Sequence, residues 1–210
     1  MRMLMESNKI CVVRVYMNPA FDRVMMIRFS ESAVSRIKTS SEAVLMFDTN
    51  DHPVAVNLLH APFEGRGYMP LDKKLKQYIR QRLTEIGVEI EIDERSYFVC
   101  GKITDIKQHP HGDHLHVCKV DIGSEQIDVV CGAKNAKNHM LTVVALPNAV
   151  LPNGLLIEEG TVAGIRSQGM LCSLLEITGG KKPVRGLIEL PSDTVCGSAI
   201  DIAGLGETLC

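Results

Sequence analysis

HPHGDHLHVCKVDIG, residues 109–123, admits two incompatible readings. Its first six residues spell H-x-H-x-D-H, a run of side chains able to ligate divalent metals. The same residues also read as a His-Pro turn opening into an alternating strand, Leu115–Asp121. Two metal sites need more ligands than four side chains supply, so others would have to arrive later in the chain. The only later histidine is His139, inside the polar stretch Lys134–His139. Pro110 and Gly112 interrupt the ligand run, and His116 leads straight into the alternation of Leu115, Val117 and Lys119. The spacing favours the strand.

Working outward, the texture from Tyr97 onward is one of short strands and turns. Phe98–Lys107, Leu115–Asp121 and Ile127–Cys131 alternate, and Gly123, Ser124 and Glu125 suit a hairpin between the last two. Leu141–Ala145 is a further strand, followed by turn chemistry at Pro147-Asn148 and Pro152-Asn153-Gly154. Leu155–Ile157 and Thr161–Ile165 add strand, and Gly179–Pro183 reads as a flexible basic loop. Strands at this spacing without long helices predict a small β-barrel. A metal hydrolase built on H-x-H-x-D-H, as in the metallo-β-lactamase class, needs an αβ/βα sandwich, and this half of the chain lacks the helices. Exposed imidazoles at His109, His111, His114 and His116 would still bind Zn²⁺ or Ni²⁺ adventitiously.

The first half predicts a small α+β unit. Ile10–Tyr16 and Val24–Phe29 are apolar runs of strand length. Ala43–Asp48 and Pro53–His60 flank a turn at residues 49–52, which fits a hairpin. The segment Ala61–Met69 is a loop. Leu71–Gly87 carries apolar residues at three- and four-residue steps, with Pro70 before it and Gly87 after, and predicts a helix. Its outer face holds Lys73, Lys74, Lys76, Arg80 and Arg82 against Asp72 and Glu85. That is the densest basic cluster in the chain, read either as a solvated face or as a phosphate-contacting one. The acidic stretch Glu89–Glu94 reads as a linker or a terminal strand, giving domains over 1–96 and 97–202.

At 210 residues, 45% apolar and 23% charged, the chain can bury a core in one large domain or two ordinary ones. No run approaches the ~20 apolar residues of a membrane span, and the first fifteen residues lack a secretory pattern, so a cytoplasmic protein is expected. Seven cysteines occur without any C-x-x-C, several inside apolar runs. Reduced, buried thiols are the expectation. The net charge is −2. Residues 1–96 hold 14 Lys/Arg against 13 Asp/Glu, and residues 97–210 hold 9 against 12. No global positive field attracts a polyanion. There is no G-x-S-x-G elbow, P-loop or G-x-G-x-x-G, and Ser167 lacks the first glycine of an elbow. Neither a catalytic apparatus nor a cofactor is indicated.

Four blocks carry a family resemblance: His109–Gly123, VVCGAKNA (Val129–Ala136), VALPNAVLPNG (Val144–Gly154) and GIRSQGMLCS (Gly164–Ser173). In order and spacing they resemble the tRNA-binding OB-fold domain. That domain occurs in phenylalanyl-tRNA synthetase β chains, methionyl-tRNA synthetase extensions and stand-alone tRNA-binding proteins. GLIELPSDTVCG (Gly186–Gly197) resembles the tail that follows it in the synthetase β chains. The first half is similar to the domain preceding the OB-fold in YtpR-like tRNA-binding proteins, so the resemblance covers nearly the whole chain.

The resemblance implies an α+β N-terminal domain followed by an all-β OB-fold barrel, and a non-enzymatic protein binding tRNA mainly by shape, ribose and phosphate contacts. The family's S-x-G-M block places tRNA contact at Ser167 and Met170, with Gly169 and Ser173 beside them. Asn135 offers a donor and an acceptor to a base edge or ribose. Lys102, Lys119, Lys134, Lys137 and Arg166 are the available phosphate partners. The family's H-P-N-A-D-K-L stands here with His111 and His114 in place of its Asn and Lys. Its C-G-A-P-N-V acquires Lys134, and the Arg of R-G-V-x-S becomes Ala163. A homodimer or an aminoacyl-tRNA synthetase are further candidate partners. A protein–protein or chaperone-like module on the same barrel is the alternative function, and the metal-dependent hydrolase a distant third.

Overall fold

The computed structural model describes residues 14–89, 92, 95–202, 204 and 205. The chain forms two compact units, 1–94 and 95–210, each with its own core. The predicted strand start at 10–13, Cys11, Cys210 and much of the acidic stretch at 90–94 lie outside the described residues.

The first unit is built from β1 (Arg14–Met17), β2 (Met25–Arg28), β3 (Arg36–Thr39), β4 (Ala43–Phe47), β5 (Pro53–Leu58), β6 (Gly67–Tyr68) and α1 (Lys73–Glu85). The strands form one antiparallel sheet in the order β3-β4-β5-β2-β1-β6. Alternation decides its inner face in β1 and β2: Val15, Met17, Met25 and Ile27 are buried and their neighbours are not, while β5 is buried at Val54, Ala55, Val56 and Leu58. The helix begins where Asp72 accepts a hydrogen bond from the Leu75 amide at 2.7 Å, and Gly87 (φ +75°) follows it. Leu75, Ile79 and Leu83 share the core of the sheet, each worth roughly 1.5–3 kcal/mol of burial. The unit is mainly β, with that one helix of 13 residues among its described elements. Strand β3 escaped the sequence reading because all four of its residues are exposed, so no alternation marks it.

The basic face of α1 is partly committed within the unit. Arg82 pairs with Glu42 at 2.7 Å and Glu85 at 2.6 Å, and the Lys74 ammonium stands 5.6 Å from the centre of the Phe63 ring.

The second unit holds β7 (Phe98–Gln108), β8 (His116–Asp121), β9 (Gln126–Cys131), β10 (Leu141–Ala145), β11 (Gly160–Val162), β12 (Ile165–Ser167), β13 (Met170–Leu171) and α2 (Leu174–Ile177). Five of these strands make an antiparallel sheet ordered β13-β10-β7-β8-β9, whose two edges approach each other in a nearly closed barrel. The long strand β7 coils through it. A Cβ on Gly101 would overlap Val144 and come within 2.8 Å of Val120, and the register slips between Ile103 and Asp105. Strand β10 reads as a continuous apolar run because both its faces are buried. Val144 points with Ile103, Val120 and Val129 into the barrel, while Val143 and Ala145 join Ile188, Leu190 and Cys172 in a second core outside it. The chain after Leu187 covers that outer face through backbone bonds such as Cys100 N–H to Ser198 O (2.9 Å) and Ile200 N–H to Phe98 O (2.8 Å).

Two sequence expectations change. Thr161–Ile165 is a hairpin rather than one strand, because Ala163 (φ +47°) and Gly164 (φ +90°) reverse the chain. Leu155–Ile157 forms only an isolated bridge, Val150 to Leu156.

Candidate nucleic-acid interface

Barrel closure uses the residue that opens the S-x-G-M block. Ser167 is buried, and its Oγ accepts from the Val130 amide at 3.1 Å and donates to the Gly169 carbonyl at 3.1 Å. Beside it the Gln168 amide donates to Asp128 O at 2.8 Å, and Gln168 Oε1 accepts from the Asp128 amide at 3.2 Å. Together these bonds bind β9 to the strand-like segment 165–171 where no continuous ladder exists. Gly169 (φ +139°) is required by the same closure, since a Cβ would stand 2.6 Å from the Ala145 carbonyl oxygen.

Asn135 is likewise committed. Its Nδ2 donates to Leu187 O at 3.0 Å and its Oδ1 accepts from Leu187 N–H at 2.8 Å, which fastens segment 185–189 alongside 133–137. Ser173 caps α2. Its amide donates to Glu176 Oε2 at 2.7 Å and its hydroxyl bonds the same oxygen, a capping box whose S-x-x-E signature (Ser173 to Glu176) is readable in the sequence.

The cations divide into two groups. Lys119 pairs with Asp128 (3.1 Å), Lys137 with Glu189 (2.7 Å) and Arg166 with Glu159 (2.5 Å). The Arg166 guanidinium holds the Glu159 carboxyl below its ordinary value. Lys119 on β8 is thus neutralised by Asp128 on β9, and Arg166 on β12 by Glu159. Lys107 pairs with Asp105 (3.3 Å), and among the described residues Lys102, Lys134, Lys181 and Arg185 have no ion-pair partner; Lys134, Lys181 and Arg185 are exposed and Lys102 is half-buried.

Met170 and Ser173 meet in a cleft of about 320 Å³ between β9, β13 and the segment 174–187. Cys131, Ala133, Leu175, Glu176, Arg185 and Leu187 complete most of its lining. The Cys131 thiol on this wall is lowered to about 7 by a hydrogen bond from the Cys118 thiol, opposed by burial and aided by the Ala133 amide. The Cys118 thiol is raised in return. Burial pushes Cys172 up to about 12 and Cys100 up to about 11. Cys100, Cys118, Cys131 and Cys172 are buried and free, and Cys196 is free and half-buried. Arg185, Leu175 and Glu176 were not picked out from the sequence, where the segment read only as a basic loop over Gly179–Pro183.

The H-x-H-x-D-H run does not converge. His109 is buried, with Nε2 bonded to Val162 O at 3.2 Å and Nδ1 accepting from the His111 amide at 3.1 Å. Both ring nitrogens are in use, while His111 and His114 are exposed on the turn. Among the described residues no group of three or more His, Cys, Asp or Glu side chains is placed to hold a metal ion. The histidine turn instead anchors the β11–β12 hairpin.

Residues 98–199 match the family model described as "Putative tRNA binding domain". The chain is 35% identical over 139 residues to the "Putative tRNA-binding protein YtpR" of Bacillus subtilis, an alignment covering 65% of this chain and 69% of that protein. The chain belongs to the tRNA-binding domain family. Family members of larger size are also similar: the phenylalanine–tRNA ligase beta subunits of Rhodospirillum rubrum (38% over 138 residues) and Clostridium tetani (41% over 143 residues). These alignments cover 62% and 61% of this chain but 17% and 18% of the subunits, so the chain spans under a fifth of their length. In this member of the tRNA-binding domain family, no helix among the described residues is long and apolar enough to cross a membrane.

Proposed function

We propose that this chain is a non-catalytic tRNA-binding protein. Its second unit acts as an OB-fold barrel that recognises tRNA by shape, ribose and phosphate contacts, and its first as a separate α+β domain, with the boundary near residues 96–97. The observation that carries the reading is the family match over residues 98–199, together with similarity to YtpR over most of that relative's length. The protein works in the cytoplasm, where its thiols stay reduced.

Met170, Lys134 and Lys102 are the direct contacts in this reading. Asn135, Ser167, Gly169 and Ser173 act by holding the backbone that presents them. Lys119, Lys137 and Arg166 contact phosphate only by exchanging their carboxylate partners, which lowers what each contributes. A homodimer would double the contact surface.

A gel shift with folded tRNA at low salt tests the proposal. Binding that weakens steeply as salt rises is expected, and no shift at low salt would remove it. A second reading, a module docking on an aminoacyl-tRNA synthetase or another protein, draws on the net charge of −3 over residues 97–210 and the Lys119–Asp128 pair across β8 and β9. Binding to a synthetase in the absence of tRNA would favour that reading.

A further inference from the structure

The cleft between β9, β13 and segment 174–187 is polarised. Its wall carries the Glu176 carboxylate, whose Oε2 is held by Ser173, and apolar surface from Met170, Leu175 and Leu187. Arg185 lines the same cleft but is exposed, and Lys134 follows the lining residue Ala133. Asn135 and Leu187 fasten these two segments side by side, so Lys134 and Arg185 belong to adjoining segments. Acid inside and cation outside sets a direction for any nucleotide: a phosphate is repelled from the wall and attracted at the mouth. A volume of about 320 Å³ lies at the small end of ligand sites and cannot admit a duplex.

We propose that this cleft receives one unstacked nucleotide of the bound tRNA, with its base against Met170, Leu175 and Leu187 and its phosphate on Arg185 with Lys134 beside it. The proposal rests on tRNA binding as the function and adds where a single base enters. The thioether of Met170 and the leucine side chains give a sequence-tolerant apolar surface for a base. The Glu176 carboxylate accepts hydrogen bonds only, so it meets a donor edge of the base, an exocyclic amino group or a ring N–H. The guanidinium of Arg185, free of any ion pair among the described residues, is suited to clamp phosphate oxygens in pairs.

The test is tRNA titration at several salt concentrations with the full chain, Arg185→Ala and Leu175→Trp, each checked by thermal melting. Arg185→Ala is expected to weaken binding about three- to tenfold and to reduce the salt slope by about one. Leu175→Trp, which fills the cleft, is expected to weaken it roughly tenfold with the slope unchanged. If Leu175→Trp melts normally and binds like the parent, no base enters the cleft and the proposal is wrong, while tRNA binding stands. Should Leu175→Trp fail to fold, Arg185→Ala decides: the residue is exposed, and unchanged affinity and slope there overturn the proposal. A parent chain that binds no tRNA removes both this inference and the function beneath it.

Discussion

The hydroxyl of Ser167 lies 3.1 Å from the Val130 amide and accepts its hydrogen, tying the end of β12 to the edge strand β9 where backbone pairing stops. A residue that the family resemblance implies as an RNA contact thus also has a structural task. Ser167→Ala leaves the Val130 N–H and the Gly169 carbonyl without that partner. The expected loss of stability is about 1–3 kcal/mol by urea denaturation. Affinity of the folded variant for tRNA is expected to stay within about threefold of the parent, a change of under ~1 kcal/mol. A large affinity loss at unchanged stability would return Ser167 to the contact surface.

Asn135 has a different task. Its two bonds to the Leu187 backbone hold the segment that carries Arg185. Asn135→Ala is expected to cost about 1–3 kcal/mol and to speed amide exchange across residues 185–189 by mass-spectrometric hydrogen exchange. Unchanged exchange there would show that the segment is held by other contacts.

Ala163 pays for the position it occupies, with φ at +47° in the two-residue turn between β11 and β12. A side chain there strains the left-handed conformation that glycine adopts freely. Ala163→Gly is expected to raise stability by up to about 1 kcal/mol, seen as a higher melting temperature. A lower one would mean that the Ala163 methyl group makes packing contacts worth more than the strain.

The Cys131 thiol is lowered to about 7 chiefly by the hydrogen bond from Cys118. A depressed value means more thiolate at neutral pH, so alkylation of Cys131 should rise at lower pH than that of an ordinary thiol. Cys118→Ala removes the donor, moves the rise to higher pH and slows alkylation at pH 7. Peptide mapping after iodoacetamide treatment reads both. An unchanged profile in Cys118→Ala would assign the shift to the Ala133 amide instead.

The strands of the second unit were legible because the barrel and its outer cover give two simple patterns: alternation in β8 and β9, and a continuous apolar run in β10, buried on both faces. Helix α1 was legible from its three- and four-residue steps and its flanking Pro70 and Gly87. Strand β3 was not, because wholly exposed residues carry no period. The reversal at Ala163 was hidden because alanine gives no turn signal. At the site, residue type suggests a contact for Asn135, and the family resemblance implies contacts for Ser167 and Ser173. Each has a backbone or capping partner in the structure, and for Asn135 and Ser167 that partner lies far off in the chain. Such partners depend on tertiary placement and leave no local mark. Arg185 carries no mark in the sequence for the converse reason: one cation just after Lys181 and Lys182 becomes distinctive only from its place on the wall of the cleft.

The most direct test of the central claim is competition at low salt: labelled folded tRNA on the full chain, displaced by unlabelled tRNA or by an unrelated RNA of equal length. Recognition of tRNA by shape predicts that tRNA competes markedly better, by roughly tenfold or more, a difference of about 1.4 kcal/mol. Equal competition by the two RNAs, or no binding of either, would contradict it.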